Sequence, residues 1–236
     1  MNVAIIVAAG QGLRMGTKRA KQFLELDGIP VIIHTLTRFE QCRDINRVVV
    51  VLPKAELKTF PALARKYGLR KAKTFVEGGK TRAQSVRLGM KSLQRLPPKL
   101  VAIHDGVRPF VTPEEISATI RVAARTGAAI LVAPVTDTIK IIYGDRVVPS
   151  PPRAELRRAL TPQCFKYRYL WEAFEDTKWS KSARSFTDES KLMENRLPST
   201  VVEGNPRNVK ITYPEDIALA EIILKQNPEF KIEAMK

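Results

Sequence analysis

The stretch Val3-Ala-Ile-Ile-Val-Ala-Ala-Gly-Gln-Gly-Leu-Arg-Met-Gly-Thr-Lys-Arg-Ala-Lys-Gln-Phe23 joins a short apolar run to a basic, glycine-rich loop. Residues 3–9 are Val, Ile and Ala and are closed by Gly10, the pattern of a strand covered on both faces of a parallel sheet. Gly10, Gly12 and Gly16 then remove the Cβ where a ligand could approach peptide N–H groups beyond the strand. Arg14, Lys18, Arg19 and Lys21 follow, and the first acidic residue is Glu25. Cations gathered on a glycine loop without a nearby anion point to a polyphosphate ligand.

Other glycine-loop chemistries fit less well. Gly10-Gln-Gly12-Leu-Arg-Met15 begins like the dinucleotide fingerprint G-x-G-x-x-G, but Met15 stands at the third glycine. The second strand candidate ends in Leu52-Pro53, without the acidic residue that would hold a ribose. Gly78-Gly79-Lys80-Thr81 resembles the end of a P-loop, yet Thr74 occupies the position of its first glycine.

Composition narrows the class further. The 236 residues suffice for one substantial α/β core, and we expect a single domain spanning 1–236. No apolar run approaches the roughly 20 residues that cross a bilayer, and residues 3–9 lack the cationic flank of a signal peptide. Cys42 and Cys164 stand far apart, as in a reduced cytoplasmic protein without structural zinc. The net charge of +16 raises the question of nucleic acid. The charge is mostly dispersed, however. The densest cluster, at Arg65, Lys66, Arg70, Lys71 and Lys73, has no interleaved aromatic pattern, so no specific nucleic-acid site is expected.

Strands and helices alternate along the chain, which implies a mostly parallel sheet. We expect strands at Arg47–Leu52, 73–76, Leu100–Asp105 and Ala128–Pro134, with helices over 55–67 and 82–96 between them. Residues 24–28 read as strand and turn, and Ile29-Pro30 as the first turn of a helix with Val31, Ile32, Leu36 and Phe39 inward. Thr112-Pro-Glu-Glu115 is a capping box, and Gly127 closes that helix. Ile139 to Val148 around Gly144-Asp145 reads as a hairpin that fits the βα alternation poorly. Leu170, Trp171 and Phe174 form a helical face, and 177–186 reads as a loop. Late strands are expected at 199–203 and 209–212. A closing helix over 214–225 would offer Ile217, Ala218, Ile222 and Leu224 to the core, before a fraying tail from Gln226.

The motifs occur in a specific order. The Ala8-Ala-Gly-x-Gly loop, with Leu13-Arg14-Met15 and Lys21-Gln22-Phe23-Leu24, is followed by Gly78-Gly79-x-x-Arg82-x-x-Ser85-Val86 and then His104-Asp105-x-x-Arg108-Pro109. Leu160-Thr161-Pro162-Gln163, Thr187-Asp188-Glu189 and Asn208-Val-Lys210-Ile-Thr212 complete the series. The chain resembles the polyol-phosphate cytidylyltransferases, and most closely the 2-C-methyl-D-erythritol 4-phosphate cytidylyltransferase family. Lys80-Thr81 and Gly106-Val107 depart from the pairs usual there. The resemblance implies a Rossmann-like three-layer α/β nucleotidyltransferase fold, with a mostly parallel sheet and a protruding β-arm at about 138–158 that builds a homodimer.

It also implies roles. Arg14 and Lys21 would contact the triphosphate of CTP and stabilise the pentavalent transition state. Ala8, Ala9, Gly10, Gly79 and Ser85 would read cytosine, with Asp105 and Arg108 on the same nucleotide side. Asp105, expected at a strand's carboxyl end, would face a Mg²⁺ bridging phosphate oxygens or a lysine that holds them. Arg153 and Lys210 would act on the polyol phosphate, with Thr138, Thr161 and Thr187 as hydroxyl partners. His104 reads as a packing or hydrogen-bonding residue. The implied reaction is cytidylyl transfer from CTP to methylerythritol phosphate. A ribitol-5-phosphate cytidylyltransferase is the nearest rival, and a catalytically silent basic nucleotide-binding module is the remote one.

Overall fold

A computed structural model describes residues 1–10, 20–176 and 188–232. Arg14, Gly12, Gly16, Thr187 and the expected loop over 177–186 lie outside the described residues.

Seven strands form the central sheet. They are β1 (Asn2–Val7), β4 (Arg47–Leu52), β5 (Ala72–Glu77), β6 (Leu100–Asp105), β7 (Ala128–Pro134), β10 (Arg157–Lys166) and β11 (Thr200–Glu203), in the order β11-β7-β10-β6-β1-β4-β5. Every pairing is parallel except those of β10, which runs antiparallel to both β6 and β7. This is the α/β sheet that the alternation predicts. It also contains one strand that the reading missed.

Pro162 explains the omission. Proline cannot donate to a ladder and argues against a central strand. Here the register of β10 against β7 shifts between Ala159 and Gln163, so Pro162 sits in an irregularity where no ladder donor is needed.

Helices cover both faces. Alternate strand residues such as Ala4, Ile6, Val48 and Val50 face α1 (Val31–Gln41), α2 (Phe60–Lys66) and α4 (Pro113–Thr126). Val3, Ile5, Val49 and Val101 face α3 (Arg82–Lys91) and α5 (Tyr167–Glu175) on the other side. Side chains alternate between the two faces of a strand, so a run such as Val48-Val-Val-Val51 feeds both cores at once. Each fully buried Val or Ile contributes roughly 1.5–3 kcal/mol.

Several boundaries differ from expectation. Ile29–Pro30 is strand β3, paired with β2 (Glu25–Leu26) around Asp27 and Gly28, whose positive φ values of 53° and 71° make the turn. Pro30 is therefore the N-cap of α1 rather than its first turn. Residues 55–67 are not one helix. A 3₁₀ turn at Lys54–Glu56 precedes α2, which starts late because Pro61 belongs in a first turn. Helix α3 ends at Lys91, five residues short of 96. The capping box of α4 is made in full, and Gly127 at φ 97° closes it.

Residues 209–212, expected as a late strand, form none. After the short helix α6 (Glu189–Met193), the closing helix α7 (Glu215–Gln226) buries Ala220, Ile223 and Leu224. Ala218 and Ile222 face outward, a rotation of the expected face. The tail does not fray at Gln226. Phe230 is buried with its ring 5.3 Å from that of Phe110, and Arg38 donates to its carbonyl.

Strands β8 (Ile141–Tyr143) and β9 (Arg146–Val148) make the expected hairpin and pair only with each other. Ile141, Ile142, Tyr143 and Val147 are all exposed.

Candidate functional site

The switch point of the sheet lies between β1 and β6, because β4 and β5 continue to one side of β1 and β6 lies on the other. Ligands of open α/β sheets bind beyond the carboxyl ends at such a point. A cleft of about 660 Å³ opens there. A second cleft of about 660 Å³, at the amino ends near Pro97, Leu100 and Tyr167, is mostly apolar.

The floor of the cleft at the carboxyl ends is built from strand-end loops. The ladder continues past the strands through Ala8 N–H to the Val51 carbonyl (2.8 Å), Gly78 N–H to Leu52 (2.9 Å) and Gly106 N–H to Val7 (2.9 Å). Two glycines are required by proximity. A Cβ on Gly78 would lie 2.1 Å from the Cβ of Ala9, and one on Gly106 would lie 2.8 Å from the Cβ of Ala8. The Gly106 departure from the resembled family thus matches its closeness to Ala8.

Gln22, which the reading passed over, clamps the first loop. Its Nε2 donates to the carbonyls of Ala8 (2.7 Å) and Gly10 (3.1 Å) from a buried position in a 3₁₀ turn, Lys21–Phe23. Thr81 and Gln84 form a capping box at the start of α3, which gives the unusual Thr81 a structural reason. The hydroxyl of Ser85 accepts from Gly79 N–H (3.1 Å) and donates to the Thr81 carbonyl (3.0 Å), so it braces this loop.

Asp105 ends β6 within the cleft wall. Its Oδ1 accepts from Nε of Arg82 at 3.0 Å, and its Oδ2 lies 2.9 Å from Nζ of Lys210 and 3.3 Å from Nε of Arg108. Burial alone would raise its pKa. The cations of Arg82, Lys210 and Arg108 outweigh that and hold the carboxyl well below its usual range. Arg82 also donates through Nη1 to Oε1 of buried Glu189 at 2.7 Å. Burial opposes the Arg82 charge, but Glu189 and Asp105 together keep its pKa above the usual value. Burial pushes Glu189 upward, with Arg82 only partly offsetting it.

The chain from Asn208 to Thr212 straps across the cleft. Ile211 N–H donates to the Val107 carbonyl (3.0 Å), the side chain of Asn208 donates to the Thr161 carbonyl (2.9 Å), and Nζ of Lys21 donates to the Ile211 carbonyl (2.9 Å). Lys21 and Lys210 therefore meet at one segment although 189 positions separate them in the sequence.

Behind the wall, the Arg108 carbonyl can only accept, so Nε2 of His104 carries the proton of the neutral ring and donates to it at 3.2 Å. Nδ1 is then the acceptor and takes the proton of Thr161 Oγ1 (2.8 Å), which itself accepts from Asp105 N–H (3.3 Å). Burial lowers the His104 pKa to about 3, so the ring is neutral, in keeping with its expected bonding role.

The cleft thus gathers Ala8, Ala9, Gly10, Lys21, Gly79, Ser85, Asp105 and Lys210 from the expected set, and adds Gln22, Lys80, Thr81, Arg82, Val107 and Thr212. Arg108 and Thr161 support Asp105 from behind. Thr138 and Arg153 are exposed at the base of the β-arm, where Arg153 donates to the Thr136 carbonyl at 3.0 Å, and neither lines the cleft. Among the described lining residues, Lys21, Lys80, Arg82 and Lys210 face a single carboxylate, Asp105. That surplus of positive charge suits a polyphosphate. No cluster of three His, Cys, Asp or Glu that could hold a metal occurs among the described residues.

Comparison with known proteins agrees with this fold. A family model described as IspD, 2-C-methyl-D-erythritol 4-phosphate cytidylyltransferase, matches residues 2–226. A relative of that name from Halalkalibacterium halodurans is 43% identical over 223 residues, covering 94% of this chain and 96% of its own. A crystal structure of 4-diphosphocytidyl-2C-methyl-D-erythritolsynthase from Anaerococcus prevotii superposes with a TM-score of 0.81 at 32% identity, covering 95% and 96% of the two chains. The Thermus thermophilus 2-C-methyl-D-erythritol 4-phosphate cytidylyltransferase gives a TM-score of 0.72 at 31% identity, with 94% and 98% covered. With its cationic cleft at the switch point and a match running from β1 to the end of α7, the chain belongs to the 2-C-methyl-D-erythritol 4-phosphate cytidylyltransferase family of nucleotidyltransferases.

Proposed function

We propose that the whole chain works as one cytidylyltransferase domain. It would move a cytidylyl group from CTP to 2-C-methyl-D-erythritol 4-phosphate and release pyrophosphate, in non-mevalonate isoprenoid precursor synthesis. The observation that carries this reading is the convergence of Lys21, Arg82 and Lys210 on the cleft around buried Asp105. A phosphate oxygen of the acceptor attacks the α-phosphorus in line, and the bond to the pyrophosphate oxygen breaks. No side chain need act as nucleophile. Two anions must be held together and developing charge stabilised.

Ala8, Ala9, Gly10 and Gly79, with the loop braced by Ser85, take the cytidine side. Lys21, and Arg14 by resemblance, neutralise the triphosphate. Lys210 holds the acceptor phosphate beside it. Arg108 and Thr161 keep Asp105 facing the cleft. Thr187 is assigned to the acceptor by resemblance alone. Thr138 and Arg153 sit too far along the arm base to line their own cleft, which supports their reaching a neighbour's cleft in a homodimer built through β8 and β9. No helix among the described residues is long and apolar enough to cross a membrane, and a cytoplasmic setting suits the two free cysteines.

Mg²⁺ fits the donor set only as a partner of the nucleotide. Asp105 Oδ1 accepts a single hydrogen bond and keeps lone-pair capacity, so it would be the one carboxylate donor among the described lining residues to a cation that arrives with the triphosphate. Bound there, Mg²⁺ would neutralise phosphate charge.

Pyrophosphate release from CTP, measured with methylerythritol phosphate and with ribitol 5-phosphate, tests the assignment. Release with the first acceptor at much higher kcat/KM supports it. Preference for the second, or release with neither, overturns it.

A further inference from the structure

We propose that Glu189 is a positioning residue which, acting through Arg82 and Asp105, sets where the ammonium of Lys210 sits in the cleft. The proposal rests on the cytidylyltransferase reading of that cleft. Glu189 is 2% exposed and does not line it. An alternating chain of charge nevertheless runs from Glu189 Oε1 to Arg82 Nη1 (2.7 Å), from Arg82 Nε to Asp105 Oδ1 (3.0 Å) and from Asp105 Oδ2 to Lys210 Nζ (2.9 Å).

The arrangement is costly for a merely structural role. A buried carboxylate loses several kcal/mol of hydration, and among the described residues Oε2 of Glu189 has no hydrogen-bond partner to offset it. What the carboxylate does is divide Arg82. A guanidinium presents a planar fork that matches a carboxylate in a bidentate pair. Facing Asp105 alone, Arg82 would turn both arms of its fork onto that carboxylate and compete with Lys210 and Arg108 for Oδ2. Nη1 donating to Glu189 fixes the plane of the guanidinium, and in that pose it is Nε that donates to Asp105 Oδ1, so Oδ2 stays available to Lys210 and Arg108.

Glu189 is itself placed from outside the cleft. Ser190 N–H donates to Oε1 of Gln163 in β10 at 2.9 Å, and Asp188 caps the start of α6. The position of Lys210 is thus referred back to a strand in the sheet core. Arg82, Arg108 and Lys210 against Asp105 and Glu189 leave one net positive charge, and loss of Glu189 would leave two; added positive charge alone would favour an anion, so a weaker hold on the acceptor phosphate reports the lost placement of Lys210 and not lost charge.

Glu189→Gln tests this in the full chain. We expect KM for the acceptor phosphate to rise at least about tenfold, the scale of one charge-assisted hydrogen bond, with KM for CTP changed less than about twofold. Acetylation of Lys210 by acetic anhydride, followed by peptide mass spectrometry, should become severalfold faster once Asp105 is drawn away. This second readout does not depend on turnover, so it reports the coupling even if the wild-type protein transfers no cytidylyl group. Glu189→Asp keeps the charge but retracts it. It should shift both readouts the same way by less, and it serves if Glu189→Gln does not fold. Unchanged acceptor KM with unchanged Lys210 reactivity in a folded variant overturns the proposal. So does an equal loss for both substrates that merely follows the melting temperature.

Discussion

The ammonium of Lys210 lies 2.9 Å from Oδ2 of Asp105, a carboxylate that also carries Arg82 and Arg108. Most of the charge on Asp105 is already balanced by protein. The remaining positive charge of the cleft is what the phosphates of the proposed substrates would meet.

Lys21→Ala and Lys210→Ala should each lower turnover by on the order of 10²–10³, the loss of one preorganised charged donor. Neither should shift the melting temperature by more than a few degrees, since both side chains are only partly buried. Lys210→Ala should act mainly on the acceptor and Lys21→Ala on CTP. Steady-state kinetics with each substrate varied will check this, and near wild-type turnover in either variant would remove that lysine from its role. Arg14→Ala is expected to behave like Lys21→Ala.

Activity should disappear in EDTA and return with Mg²⁺. The triphosphate brings more negative charge than the lining cations neutralise once Asp105 has taken its share. Pyrophosphate release by protein confirmed to be metal-free would contradict the expectation.

Stability should fall as the solution is acidified from about pH 6.5 toward 3. Burial lowers the pKa of His104 from 6.5 to about 3, so across that window the unfolded chain binds a proton that the folded chain refuses. The slope approaches ~1.4 kcal/mol per pH unit from this ring. His34, buried and also lowered, adds in the same direction. Asp105 joins the fall once pH drops to the ordinary carboxylate range, because the unfolded carboxyl protonates there while the folded one, held low by Arg82, Lys210 and Arg108, does not; Glu189 and Glu115, raised by burial, act in the opposite sense just above that range. Urea titrations at several pH values should show the slope, and His104→Asn should flatten it. An identical slope in that variant would move the effect elsewhere.

Subunit mixing tests the arm. An isolated two-stranded hairpin is marginal in water, and Ile142, Tyr143 and Val147 leave an apolar surface that needs a partner. If Arg153 serves a neighbour's cleft, inactive Lys21→Ala and inactive Arg153→Ala proteins should regain part of the activity when mixed, because some heterodimers carry one intact site. Demonstrated exchange without recovery would oppose the composite site. A fully active monomer lacking residues 140–150 would do so as well.

Residues 3–7 of the expected 3–9 run, Arg47–Leu52, Leu100–Asp105 and Ala128–Pro134 were legible as strands from sequence alone, since burial on both faces leaves an unbroken apolar run and turn residues bound it; Ala8 and Ala9 lie past the strand end at Val7. Thr112, Glu115 and Gly127 announced their helix because capping chemistry is local. Gly10 and Lys21 after β1, and Asp105 at the end of β6, were legible as strand-end positions, and the structure places all three on one cleft. Strand β10 was not legible. Its propriety as a central strand depends on an irregular register against β7, and register is a relation between segments far apart in the chain. The same holds for the 3.0 Å, 2.9 Å and 3.3 Å contacts that bring residues 82, 210 and 108 to one carboxylate, and for Glu189 behind Arg82. Which cation answers which anion is decided only when the folded sheet sets their distances, because ion pairing acts through space and leaves no period in the sequence.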